Sequence, residues 1–162
     1  MRQINILNTR EKKRIIHEIK DRFAFDSSIL DHYVFLRAGQ RVYITNRALS
    51  KIDTDKLRID NIGLYIATIE DKLKTGRIRL SIEGSQLIGP SAEKNVLKID
   101  RREFKIWISG GDLQVENTQG LESGFVIIKF GDDYAGSGLF IKSQGIVRNY
   151  IPKERRLKNF FE

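Results

Sequence analysis

Residues 124–130 read GFVIIKF and carry a single polar side chain, that of Lys129. A run this short and this apolar has the length of a strand, and a strand without polar alternates needs cover on both faces. It therefore predicts the core of a small sheet around which neighbouring segments must close. Three further short apolar runs, at 104–109, 136–142 and 146–151, are set off from it by glycines and polar residues. Together they describe a compact antiparallel barrel within residues 104–156, with the preceding chain as its platform and a basic tail at its end.

Alternation assigns faces within these runs. Phe104, Ile106 and Ile108 form an apolar side of the first run, so its other side is expected to show a cation and an indole, Lys105 and Trp107, to solvent. Gly110 and Gly111 stop the strand, and Asp112 suits a tight turn or cap because its carboxylate can accept from free backbone N–H groups. In the last run Val147, Asn149 and Ile151 share one face, which leaves Arg148 and Tyr150 together on the other. Lys153, Arg155, Arg156 and Lys158 follow Pro152 with only Glu154 between them as a counter-charge, enough for several phosphate contacts. Taken alone, such a run reads as a solvated tail that aids solubility.

The first ninety residues read as an α/β unit. Asn8 and Glu11 have capping-box spacing, and Ile15, Ile16, Ile19 and Phe23 recur with the helical period. Arg10, Lys13, Arg14, His17 and Lys20 fall on the other side, either solvated or against an anion. Strands at 33–36 and 41–45 flank Ala38-Gly39-Gln40, a hairpin signal. A polar helical connection over 46–57 leads to a nearly continuous apolar strand at 62–69. Residues 77–82 alternate strictly, and these two strands are expected to pair across the charged loop at 70–76. A short helix over 83–89 must end before Pro90. The small polar stretch at 91–95 places a domain boundary there, giving units of 1–92 and 93–162.

The formal net charge of +8 favours an anionic partner, whether nucleic acid, an anionic membrane or an acidic protein. With no cysteine the chain has no disulfide framework, no thiolate-held zinc and no thiol catalysis. His17 and His32 stand in different segments without metal-ligand spacing, and no metal or cofactor is expected. Ser137 lies between two glycines but outside a G-x-S-x-G pattern, so it marks a bend or close backbone approach and not a nucleophile. Nor do Gly110 and Gly111 precede the lysine and hydroxyl of a nucleotide-phosphate loop. No apolar run reaches membrane-spanning length, and residues 1–7 lack the apolar core of a secretory signal, so the expected compartment is the cytoplasm.

WISGGDL at 107–113, GFV at 124–126, GSG at 136–138 with Lys142, and RNYIPKER at 148–155 resemble PUA and PUA-like RNA-binding domains. The nearest resemblances are to small archaeal and eukaryotic ribosome-biogenesis proteins with a pre-PUA domain, and to the RNA-binding tails of rRNA cytosine-5 methyltransferases. RLSIEGSQLIGP at 79–90 is similar to the end of such a pre-PUA domain. The resemblance implies an α+β chain, with a pre-PUA-like α/β domain packed on a small PUA-like barrel. It implies RNA as the partner, rRNA first and tRNA second, and a role in rRNA maturation, ribosome biogenesis or RNA modification beside a protein partner. Gly110 and Gly111 would then approach the RNA backbone, and Lys105, Trp107, Lys142, Arg148, Tyr150, Lys153, Arg155, Arg156 and Lys158 would touch RNA. The methyltransferases act through cysteine, so this chain resembles their binding part and is expected not to be an enzyme. The other class open to it is a protein-interaction adaptor in a ribosome-assembly or RNA-modification complex.

Overall fold

The structure, a computed structural model, describes residues 4–51 and 63–158. It is mixed α/β, with two β-sheets and few helices. Helix α1 (Thr9–Phe23) begins at the expected cap, where the Asn8 side chain accepts from Glu11 N and the Glu11 carboxylate from Asn8 N, each at 2.9 Å. Two donors that a helix start leaves unpaired are thereby satisfied. Ile15, Ile19 and Phe23 turn inward onto the first sheet, while Arg10, Lys13 and Lys20 stay in solvent.

That sheet consists of β1 (Asn5–Ile6), β2 (Tyr33–Ala38), β3 (Arg41–Asn46), β4 (Leu64–Ile69) and β5 (Ile78–Leu80), antiparallel throughout and in sequence order. The β2–β3 hairpin turns at Gly39, and β4 pairs with β5 across the charged loop as the alternation predicts. The connection expected over 46–57 opens with a 3-10 turn at Arg47–Lys51; its remainder, and Ile62 at the start of the expected strand, lie outside the described residues. Helix α2 (Ile82–Ile88) is capped by Ser81 and ends before Pro90. It lies so close to β4 that a Cβ on Gly84 would stand 2.0 Å from the Ile66 carbonyl oxygen.

The second sheet contains β6 (Val96–Lys98), β7 (Leu113–Gln114), β8 (Gly124–Phe130), β9 (Asp133–Ile141) and β10 (Ile146–Arg148) in the order β6-β8-β9-β10-β7, and it curls into a half-barrel. Residues 124–128 of β8 are all buried, which is the two-sided cover its composition demands. Two expectations need correction. The sheet is not wholly antiparallel, since β6 runs parallel to β8. More consequentially, residues 104–109 are not a strand: Arg101–Ile108 is helix α3, opened by a capping box in which Asp100 and Glu103 each accept from the other's N–H at 2.8 Å. Phe104, Trp107 and Ile108 stand at i, i+3 and i+4, the inward stripe of a helix. Trp107 is wholly buried, and Ile106, placed inside by the strand reading, is 41% exposed.

The halves meet in a built seam. Ile127 of β8 completes the apolar cluster of the first sheet, beside Ile19, Phe35 and Ile88. Ser137 Oγ donates to Leu80 O, and Gly136 N donates to Ser85 Oγ, each at 2.9 Å. Phe125 N donates to Gly76 O at 2.8 Å, where Gly76 and Gly124 bring two backbones into contact that no Cβ would permit. Among the described residues, no helix is long and apolar enough to cross a membrane.

Candidate nucleic-acid interface

The turn that follows α3 is closed by the end of the chain. Asn149 Nδ2 donates to Trp107 O at 2.7 Å and to Gly111 O at 3.0 Å, while its Oδ1 accepts from Ile151 N at 2.8 Å. One side chain thus ties the end of α3 and the turn after it to the last strand run. Asp112 accepts from Asn149 N at 2.8 Å and pairs with Arg148 at 3.3 Å. Arg156 lies across Gly110, so close that a Cβ there would be 2.6 Å from its Cδ, and donates from Nε to Ile151 O at 3.0 Å. The sequence therefore brings Gly110, Gly111, Arg148 and Arg156 together, but in a knot of their own contacts. The space over Gly110 that the resemblance reserves for RNA backbone is filled by Arg156.

Trp107 is a second correction. Its indole is buried, donates from Nε1 to Ala135 O at 2.8 Å, and lies against Gly138, where a Cβ would come within 2.6 Å of the ring. It is a core side chain and presents no face to a base. Lys105 is partly buried on the last turn of α3. Lys142 is exposed in the β9–β10 turn, three residues beyond Leu139, the partner of Arg148, and so about 10 Å along the strand from it. Lys153 and Lys158 are exposed on the tail.

Tyr150 and Arg155 point elsewhere, toward the first sheet. The Tyr150 ring meets Phe125 edge-on at 5.1 Å, and the guanidinium of Arg79 lies 5.0 Å over it. Arg155 forms an ion pair with Glu83 at the start of α2. Both side chains line a cleft of about 230 Å³ whose opposite wall holds Arg41, Tyr65 and Arg79. Arg41 lies 5.5 Å over the Tyr65 ring, which itself leans on Tyr43 at 5.6 Å. Arg79 also bonds Glu70 at 3.0 Å. The sequence reading missed the residues of this wall. Strict alternation at 77–82 already put Arg79 on a polar face, but nothing local said that this face would meet Tyr150.

Two cation–ring pairs side by side, with Arg155 as a further cation on the lining, suit planar and anionic ligands together. Comparison with known proteins bears on the same half of the molecule. Residues 94–157 match the family described as the methyltransferase RsmF PUA domain. This C-terminal unit, which holds α3, the half-barrel and the tail, is a PUA domain related to the tail of rRNA cytosine-5 methyltransferases. No curated protein matches the chain.

Proposed function

We propose that the protein is a non-catalytic RNA-binding factor acting in rRNA maturation, ribosome biogenesis or RNA modification, in the cytoplasm and beside a protein partner. The observation that carries this reading is the PUA domain at 94–157. Its partner is rRNA, with tRNA the second candidate. Residues 1–92 serve as a pre-PUA-like domain and 93–162 as the RNA-binding domain. The exposed Lys142, Lys153 and Lys158 supply phosphate contacts, and Arg148 and Arg155 join them at the rim by exchanging a carboxylate for a phosphate. Phosphate contacts position an RNA without naming its sequence, which suits recognition of a folded shape.

Filter binding of a structured RNA at two salt concentrations tests the reading. Affinity should fall steeply between them, because each phosphate neutralised releases counterions. Failure to bind structured RNA even at low salt would leave the adaptor role, with the charge of +8 serving solubility. Crosslinking in cells followed by sequencing of the bound RNA would then decide between rRNA and tRNA.

A further inference from the structure

We infer that the cleft between the two sheets takes a single unpaired nucleobase of the bound RNA, with the flanking phosphates at its mouth; this rests on the RNA-binding function proposed above. The walls come from both halves of the chain, Arg41, Tyr65 and Arg79 on one side and Tyr150, Glu154 and Arg155 on the other. Their chemistry is not that of a simple phosphate track, because acids and cations alternate around aromatic rings. Arg79 is already balanced by Glu70 and Arg155 by Glu83. What the cleft offers is flat groups: two guanidinium groups lying over two phenol rings, at 5.5 Å and 5.0 Å from the ring centres.

A nucleobase is the planar, polar-edged group that such surfaces hold. Unstacked RNA bases are bound between aromatic and arginine planes, with edge contacts to side chains of mixed sign. The Glu154 carboxylate can accept from an exocyclic amine. Arg41 is exposed and, among the described residues, contacts the Tyr65 ring and no carboxylate, so its charge is available to a flanking phosphate. A duplex presents no free base, so this cleft selects a loop, bulge or end over a continuous helix.

The cleft is held open in advance. Its floor includes Gly136 and Ser137, which are tied to Ser85 and Leu80 by the 2.9 Å bonds of the seam. The floor is therefore fixed before a base arrives, and no binding energy is lost to ordering it.

The test uses the full chain and two RNA probes, a hairpin with a three-nucleotide single-stranded 3′ extension and the same hairpin with a blunt end, read by fluorescence anisotropy. The wild type should bind the extended probe about ten-fold more tightly. Arg41→Ala with Arg79→Gln should abolish that preference, lowering affinity for the extended hairpin about ten-fold more than for the blunt one. Photo-crosslinking of the wild type to the extended probe carrying 4-thiouridine in the extension should mark peptides containing Tyr65 or Tyr150, and this readout does not depend on any variant folding. Equal binding of the two probes by the wild type, an undiminished preference in a folded double variant, or crosslinks confined to other peptides would each overturn the cleft while RNA binding stands. Binding of neither probe would overturn both.

Discussion

Arg22 Nε donates to the carbonyl oxygen of Phe125 at 2.8 Å, joining α1 of the first half to β8 of the second across a gap of 103 residues in sequence. The same guanidinium donates to Glu122 O at 2.7 Å and meets the Glu122 carboxylate at 3.4 Å. Asn95 continues the network, donating from Nδ2 to Arg22 O and accepting from Glu122 N, each at 2.8 Å. Arg22 is only 7% exposed. Burial pushes its pKa down and Glu122 pushes it back up. This buried cation acts with the Ser137, Gly136 and Phe125 bonds of the seam in holding the half-barrel on the first sheet.

Replacing Arg22 with Met keeps the length of the side chain and removes its donors. The Phe125 and Glu122 carbonyls would be left unpaired in the seam, so the variant should lose about 3 kcal/mol. Urea denaturation followed by fluorescence measures it. A midpoint equal to that of the wild type would show that the two halves do not depend on this contact.

Trp107→Ala should destabilise by ~3–5 kcal/mol, as expected for emptying a large aromatic site in a core. Gly138→Ala should mimic part of this loss, since its Cβ would press on the Trp107 ring, on Val147 and on Arg148 O, all within 2.7 Å. Both losses should appear in thermal melts without any RNA present. A Trp107→Ala protein that melted like the wild type would restore the indole as a surface residue.

Asp26 accepts from Ser28 Oγ at 2.7 Å and from Ser28 N at 3.0 Å, and these bonds hold its carboxyl below the usual Asp value. Because the folded-state pKa is the lower one, its contribution is fully present above the unfolded value of about 3.9. It is lost as pH falls through the folded value. Asp26→Asn, which keeps an acceptor but has no charge and cannot titrate, should lower stability slightly at neutral pH and flatten the acid limb, so that the difference from wild type closes as pH falls below about 4. Superimposable acid limbs would contradict this.

The tail separates from the fold at two residues. Lys153 and Lys158 are exposed, whereas Arg156 belongs to the knot around Gly110. Replacing the two lysines with alanine should leave the melting temperature in place and make the slope of log affinity against log salt shallower by about 1.4, at ~0.7 per single-strand-like phosphate contact. An unchanged slope would make the tail a solvated end. Arg148→Ala and Arg156→Ala should, by contrast, lower stability before RNA enters the measurement.

What the sequence determined by itself was mostly local. The cap at Asn8, the hairpin at Gly39, the pairing of β4 with β5, the stop before Pro90 and the buried run at 124–130 all follow from spacing that neighbouring residues enforce. The motifs from Trp107 to Arg155 also carried the PUA resemblance, because their order survives translation into a linear pattern. Tertiary structure decided the rest. Residues 104–109 satisfy both a two-residue and a three-to-four-residue period, and the capping box of Asp100 and Glu103 together with packing of Trp107 against Gly138 selects the helix. Whether a cation is free depends on what folds beside it: Asp112 for Arg148, Gly110 for Arg156, and Glu83 for Arg155. The cleft was invisible for the same reason. Arg41, Arg79 and Tyr150 each sit on a polar face with no local signal, and they become one surface because Arg22 and Ser137 hold two sheets, far apart in sequence, against each other.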